Sequence, residues 1–313
     1  MKIVFFGTPL FAVPFLEALT REKDFEVVSV VTQPDKPSGR GGKITSPEVK
    51  VFAEQKNIHV LQFQSLKKPE AVETLSTLNA DLFVVVAYGK MIPNTILNIP
   101  SKGVVNVHPS LLPKYRGPSP MQFAILNGDQ KTGISIMLLN EGMDTGPILA
   151  QKTIELSENE TTTTLQSKIH LVGPKFLCDV LKSYVNGSCI PFRQNDQEAS
   201  VTRLLSKDDG KIDWNMDAKK IEIMIRAYVP WPSAWTTMKI NNEFVRIKIL
   251  EAKVVQTNFN KPNGSLCEDQ GRVFVAVNSE ALELITLQPE GKATMKALAF
   301  VAGRKDWIGK IFE

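Results

Sequence analysis

Six short apolar runs punctuate the first half of the chain, with helical stretches between them. Ile3 to Phe6, Val27 to Val31, Ile58 to Leu61, Leu82 to Val86, Val104 to Val107 and Ile134 to Leu139 are each too short for a typical helix. Most are rich in β-branched residues, which is how strands buried on both faces read. Phe11 to Leu19, Pro47 to Gln55 and Pro69 to Leu78 repeat apolar residues at helical spacing, with Pro14 tolerated in a first turn. Strands that alternate with helices pair in parallel. The pattern predicts an α/β domain on a mostly parallel, Rossmann-like sheet.

Sheets of this kind place chemistry in the loops beyond the carboxyl ends of their strands. A dinucleotide is disfavoured as ligand, because the first strand runs into Gly7-Thr8-Pro9-Leu10-Phe11-Ala12 rather than a glycine triplet, and no phosphate-binding loop ends in Lys and Ser or Thr. The run at Val104 instead stops at Asn106-Val107-His108-Pro109-Ser110. Residues i and i+2 of a strand share a face, so an amide and an imidazole stand side by side. By spacing alone, a structural hydrogen-bond hub and a catalytic pair are both open readings. After Ile134 to Leu139 comes Asn140-Glu141-Gly142-Met143-Asp144-Thr145-Gly146-Pro147, where glycines and a proline put Asp144 on a tight loop. Alone this is an acidic turn. If the two preceding strands are parallel neighbours, both loops leave the same edge, and Asp144 would orient and ionise His108.

Thr161 to Tyr184 is a further helical stretch, ended by Asn186-Gly187-Ser188. Pro191 to Ser206 is polar and aperiodic, a linker across the surface of the first domain. Beyond it, Trp235 to Ile240 and Phe244 to Ile249 flank Asn241-Asn242, and Val273 to Val277, Leu282 to Leu287 and Thr294 to Phe300 read as further strands. Pro262-Asn263-Gly264, Asp269-Gln270-Gly271 and Pro289-Glu290-Gly291 supply turns. Short strands spaced by turns predict a small β-barrel. The expected division is residues 1–190, a linker at 191–206, and a second domain at 207–313.

Cys178, Cys189 and Cys267 are an odd number without metal-ligand spacing, which points to free thiols in a reducing compartment. No apolar stretch is long enough for a membrane span, and Met1 to Phe6 halts at Gly7-Thr8-Pro9, too soon for a signal peptide, so a cytoplasmic protein is expected. The net charge of +4 permits an RNA partner without requiring one, and residues from Lys207 onward carry sixteen Lys and Arg against fourteen Asp and Glu. Any nucleic-acid surface must therefore be a patch made by folding. The clearest local excess is Lys36, Arg40 and Lys43 against Asp35 in a Gly- and Pro-rich segment, which on composition alone reads as a solvated loop.

Asn106 through Gly117, with Glu141-Gly142-Met143-Asp144-Thr145-Gly146, resembles the active-site signature of the folate-dependent formyltransferases. Val4-Phe5-Phe6-Gly7-Thr8-Pro9 and Gln33-Pro34-Asp35-Lys36-Pro37-Ser38-Gly39-Arg40-Gly41 are similar to the branch that acts on an aminoacylated tRNA. Ser206, Asp213-Trp214, Arg226-Ala227 and Trp231 to Ala234 extend the resemblance over the second domain. It implies an oligonucleotide-binding-type barrel, N10-formyltetrahydrofolate as co-substrate and methionyl initiator tRNA as acceptor. One acceptor arm per chain needs no dimer, so a monomer is expected, and metal-free transfer is expected from the residues themselves. Asn106, His108 and Asp144 would be catalytic. Ala87, Tyr88, Gly89, Ser110, Leu111, Leu112, Pro113, Glu141, Gly142 and Met143 would line the folate slot, although Leu111 and Leu112 also read as packing beneath a loop. Lys36, Arg40, Lys43 and Lys207 would meet tRNA. His59 and His170 sit in unrelated contexts and no cysteine lies near His108, so no metal set is visible. A small-amine acceptor, such as an aminosugar nucleotide or glycinamide ribonucleotide, is the alternative within this chemistry. A catalytically silent RNA binder is the alternative outside it, and a binder has no need of all three polar residues.

Overall fold

The structure, a computed structural model, describes residues 1–38, 43–240 and 243–313, apart from the side chains of Ser38, Lys43 and Lys305. Contacts divide the chain into two units. The first comprises Met1–Pro120, Lys131–Glu155 and Gln166–Arg203, and the second Met121–Gln130, Leu156–Leu165 and Leu204–Glu313.

In chain order the first part contains β1 (Lys2–Gly7), α1 (Val13–Arg21), β2 (Glu26–Thr32), β3 (Lys36–Ser38), β4 (Lys43–Thr45), α2 (Glu48–Gln55), β5 (Val60–Gln62), α3 (Pro69–Thr77), β6 (Leu82–Val86), α4 (Asn94–Leu97), β7 (Val104–His108), α5 (Pro120–Leu126), β8 (Lys131–Leu138), β9 (Ile148–Glu155) and α6 (Thr162–Val185). Seven strands form one sheet in the order β5-β2-β1-β6-β7-β8-β9. From β5 to β7 the pairing is parallel. Alternate residues Val4, Phe6, Val31, Phe83, Val85 and Val104 pack with Ala71 and Leu75 of α3 and Ile96 of α4, as the period of two requires. In α6, a Cβ on Gly173 would come within 2.8 Å of the Phe15 ring and 3.0 Å of Ile134, so only glycine lets the helix sit this close.

β7 and β8 are neighbours, but they are antiparallel. The parallel pairing expected from the alternation is therefore corrected: β8 runs back along β7, with His108 opposite Ser135 and Val105 opposite Leu138. β9, antiparallel to β8, was not among the expected strands. Its burial explains why, since Gln151, Lys152 and Thr153 are exposed. The segment read as a solvated loop has an ordered base: β3 and β4 pair as a hairpin, with Lys36 opposite Thr45.

The second unit holds α7 (Ala218–Tyr228), β10 (Ala234–Ile240), β11 (Glu243–Val255), β12 (Leu266–Asp269), β13 (Arg272–Val277), β14 (Glu280–Pro289), β15 (Met295–Lys296) and α8 (Ala297–Val301). The antiparallel order is β10-β11-β14-β13-β12, with β15 beside β14. The expected turn Asn241-Asn242 lies outside the described residues. Register shifts between Ile249 and Ala252 let the long β11 bend. The strand expected at Thr294 to Phe300 is corrected to the two-residue β15 followed by α8, because the buried Ala297, Phe300 and Val301 have helical spacing.

The last residues close the ring. Phe312 bridges Met238 of β10, and Ile311 bridges Ser265 just before β12. Thr237 and Glu313 exchange backbone hydrogen bonds of 2.9 and 2.8 Å, and the Leu266 N–H donates to the Lys310 carbonyl at 2.8 Å. Inside, the Phe312 ring stacks on Trp214 with centroids 5.7 Å apart. Deleting Lys310 to Glu313 removes this segment together with a buried phenylalanine, whose loss alone costs roughly 3–5 kcal/mol. Calorimetry is expected to show the barrel melting many degrees earlier in the shortened chain. An unchanged profile would mean that the ring does not depend on its closing segment.

Candidate active site

The strand order reverses at β1, which has β2 on one side and β6 on the other, so the loops beyond β1 and β6 diverge and leave a crevice at the carboxyl edge. Gly7 ends β1 there, and a Cβ on it would meet the Phe5 ring at 2.6 Å and the Val86 carbonyl at 3.1 Å. Gly7 lies level with Val86, and Val85 with Asn106, so the ends of β1, β6 and β7 are neighbours.

Beyond β6, Ala87 and Gly89 take left-handed backbone with φ of 49° and 82°, and both are exposed. Tyr88 between them turns inward. Its side chain is 1% exposed and meets Phe6 edge-on at 5.5 Å, and its hydroxyl has no partner among the described residues. Burial pushes that hydroxyl up to about 12. The wall therefore consists of backbone at Ala87 and Gly89, with Tyr88 contributing anchorage: its carbonyl accepts hydrogen bonds from Thr8 Oγ1 at 2.9 Å and Gln33 Nε2 at 3.0 Å. Leu10 and Met91, in the loops after β1 and β6, are mostly exposed. Such apolar side chains beside open backbone suit a flat, hydrogen-bonding ring system.

Asn106, His108 and Asp144 come together. Asp144 Oδ2 lies 3.5 Å from His108 Nδ1, and Asn106 Nδ2 donates to Asp144 Oδ1 at 3.5 Å. Although β8 runs antiparallel to β7, the loop after it returns far enough to bring the carboxylate to the end of β7. His108 is 4% exposed. Its Nε2 is 2.9 Å from the Tyr115 carbonyl, and a carbonyl only accepts, so Nε2 carries a hydrogen and Nδ1 is the atom free to gain or lose one. Asp144 Oδ2 also accepts the Gly117 N–H at 2.8 Å. Asp144, Tyr115 and Gly117 have φ of 53°, 62° and 107°. For the two non-glycine residues this costs on the order of 1–2 kcal/mol each, so surrounding bonds must hold the loops.

The Ser110 to Pro113 turn is fixed from beneath. Ser135 Oγ donates to the Ser110 carbonyl at 2.7 Å and accepts the Leu112 N–H at 3.0 Å, while Gln151 Nε2 donates to the Leu112 carbonyl at 2.8 Å. Ser110 is fully buried, and Leu112 is buried with Met137 and Ile148. Leu111 is half-buried. On the other side, Glu141 accepts from Asn94 Nδ2, Gly142 is half-buried, and Met143 is 49% exposed.

Residues that the sequence reading passed over fasten these loops. Gln194 Nε2 donates to the carbonyls of Asp144 and Gly146, both at 2.8 Å. Its Oε1 accepts from Arg116 Nε and Nη2 at 3.0 and 2.9 Å. Ser200 Oγ accepts the Tyr115 N–H at 2.9 Å, and the Ser200 carbonyl accepts the Arg116 N–H at 2.9 Å. No motif marks Gln194 or Ser200; the one available signal is that a polar stretch follows the last helix of the domain.

Of the basic residues, Lys36 is exposed and its Nζ donates to Gln33 Oε1 at 3.0 Å. Asp35 beneath it accepts from Lys50, Gln62 and Ser46, and the Lys50 ammonium is the main cause holding its carboxyl below the usual range. Arg40 and the side chain of Lys43 lie outside the described residues. Lys207 is exposed in the second unit. Among the described residues, no group of His, Cys, Asp and Glu could hold a metal ion, and no helix is long and apolar enough to cross a membrane. Burial raises all three thiols, Cys178 to about 11.

Residues 1–181 match the formyl transferase family, and residues 204–305 match the formyl transferase C-terminal domain. A methionyl-tRNA formyltransferase of Pseudoalteromonas translucida is 42% identical, covering 98% of this chain and 95% of that protein. One from Caldanaerobacter subterraneus subsp. tengcongensis is 41% identical over the whole of both chains. Among solved structures, the sugar 3N-formyltransferase WlaRD, crystallised in the presence of dTDP and 5-N-formyl-THF, superposes with a TM-score of 0.64 at 20% identity, covering 94% of this chain and 99% of that one.

Proposed function

The chain belongs to the formyl transferase family, and from that premise we infer that it moves the formyl group of N10-formyltetrahydrofolate to the amino group of methionine on initiator tRNA. The observation that carries this reading is the full-length match to methionyl-tRNA formyltransferases, which runs through both units. The chemistry is assigned to residues 1–190 and tRNA tracking to the barrel at 207–313; residues 191–206 join them, and within that stretch Gln194 and Ser200 also fasten the site loops. A reaction with one acceptor arm per chain needs only a monomer, and a translation enzyme of this kind works in the cytoplasm.

The neutral amine attacks the formyl carbon, forming the new C–N bond and moving the carbonyl pair onto oxygen. Asn106 is assigned to donate to that oxyanion through its amide. The amine proton passes toward Asp144 and His108 Nδ1, since Nε2 is committed to Tyr115. When the bond from carbon to N10 breaks, the same pair returns a proton to the leaving nitrogen. Amide and tetrahydrofolate leave with no net proton change. The exposed backbone at Ala87 and Gly89, the turn at Ser110 to Pro113 and the loop at Glu141 to Met143 are assigned to the pteridine. Lys36, Arg40, Lys43 and Lys207 are assigned to tRNA.

Formylation assays with methionyl-tRNA, free methionine and aminosugar nucleotides test the acceptor. Methionyl-tRNA is the expected substrate, and preference for a sugar nucleotide would overturn the reading. Arg40→Leu is expected to weaken use of methionyl-tRNA without changing folate affinity. Each lost phosphate contact should flatten the slope of log K against log salt concentration for tRNA binding by about one unit or a little less. An unchanged tRNA dependence would remove Arg40 from the interface.

A further inference from the structure

We propose that Gln194 is a positioning residue for formyl transfer, clamping the Asp144 loop to the Tyr115–Gly117 loop so that the carboxylate faces His108 and Asn106. The proposal rests on the assignment of those three residues to catalysis.

One side-chain amide spans both loops. Its nitrogen donates to the carbonyls of Asp144 and Gly146, and its oxygen accepts two hydrogens of the Arg116 guanidinium. An amide is the right group, because it alone among the uncharged side chains offers two donors and a two-lone-pair acceptor on one rigid plane. Both partners need holding. Asp144 has left-handed backbone, which a non-glycine residue keeps only where its surroundings over-determine it. Arg116 is 8% exposed, so its charge requires complete pairing. It finds that pairing in Gln194 and in Asp196 Oδ1 at 2.6 Å.

The surrounding residues finish the clamp. The Thr202 N–H donates to the Arg116 carbonyl at 2.7 Å, and Thr202 Oγ1 accepts the Ser119 N–H at 3.1 Å. Gly117 passes so close that a Cβ on it would lie 2.7 Å from the Thr202 carbonyl. Tyr115, whose carbonyl holds His108 Nε2, is itself tied to Ser200. Thus both ring nitrogens of His108 face groups whose placement depends on residues 194–202. All of these residues lie in the first unit.

The test measures kcat and both KM values for methionyl-tRNA formylation with the full chain, Gln194→Leu and Gln194→Glu. Glutamate keeps the acceptor for Arg116 but removes both donors to the Asp144 loop, and it remains informative should the leucine variant fail to fold. A 1 Å misplacement of a catalytic group costs about 10²-fold, so kcat in the folded variants is expected to fall roughly 10- to 100-fold. KM for folate and for methionyl-tRNA should stay near the parent values, and the pH profile of kcat should shift. Loss confined to KM, or a Gln194→Glu variant with parent kcat and pH profile, would overturn the clamp. An inactive parent chain would instead overturn the formyltransferase reading on which it rests.

Discussion

His108→Ala is expected to lower formyl transfer by roughly 10²- to 10⁴-fold, the range for loss of a positioned acid or base. The expectation follows from its geometry. One ring nitrogen is spent on the Tyr115 carbonyl and the other faces Asp144 at 3.5 Å, so removing the ring takes away the nitrogen that shares the proton with Asp144. Because the imidazole is buried behind the loops, its removal should leave tRNA binding almost untouched, with KM for methionyl-tRNA within about twofold. A circular dichroism melt alongside the kinetics separates lost chemistry from lost folding. Turnover near the parent value would take His108 out of the mechanism.

Asn106→Ala comes next in size, at roughly 10²- to 10³-fold in kcat, as for removal of one oxyanion donor. Asn106 lies at the start of the polar strand end and is half-buried. Its amide donates only a long bond, of 3.5 Å, to Asp144, and the second hydrogen of the same nitrogen is the one assigned to the substrate oxygen. Asn106→Asp preserves size but replaces donors with acceptors and sets a second carboxylate beside Asp144, so it should lose at least as much as alanine. An Asp variant more active than the Ala variant would contradict the donor role.

How far these sites were legible depends on how local their causes are. Strands β1, β2, β6 and β7 announce themselves because parallel strands are buried on both faces and consist of little but apolar residues. The unbroken run Leu82-Phe83-Val84-Val85-Val86 admits few other readings. β9 escaped because one stretch of it is polar and exposed. α7 escaped for a different reason: Ile221, Met224, Ile225 and Tyr228 are all buried at helical spacing behind an Asp217 cap that accepts the Lys219 and Lys220 N–H groups. Those signals were present, and the strand pattern around them masked them. Asn106 and His108 could be paired from the two-residue period alone. That Asp144 reaches them rests on a loop whose path no spacing encodes. Gln194 was beyond sequence reasoning altogether, since its partners are 48 to 78 residues away.

The ring of the second unit also sets an order of events in time. Thr237 meets Glu313 across a separation of 76 residues, so the last hydrogen bonds of the barrel cost least once β11 to β14 have found their neighbours and shortened the loop to be closed. Closing a loop of that size is entropically costly and is repaid only once the contact is made. Folding of this unit should therefore pass through an open stage in which β10 and β12 both present unsatisfied backbone. Two molecules caught at that stage can each lend the other its final segment, so refolding at high concentration should favour strand-exchanged dimers over single closed rings.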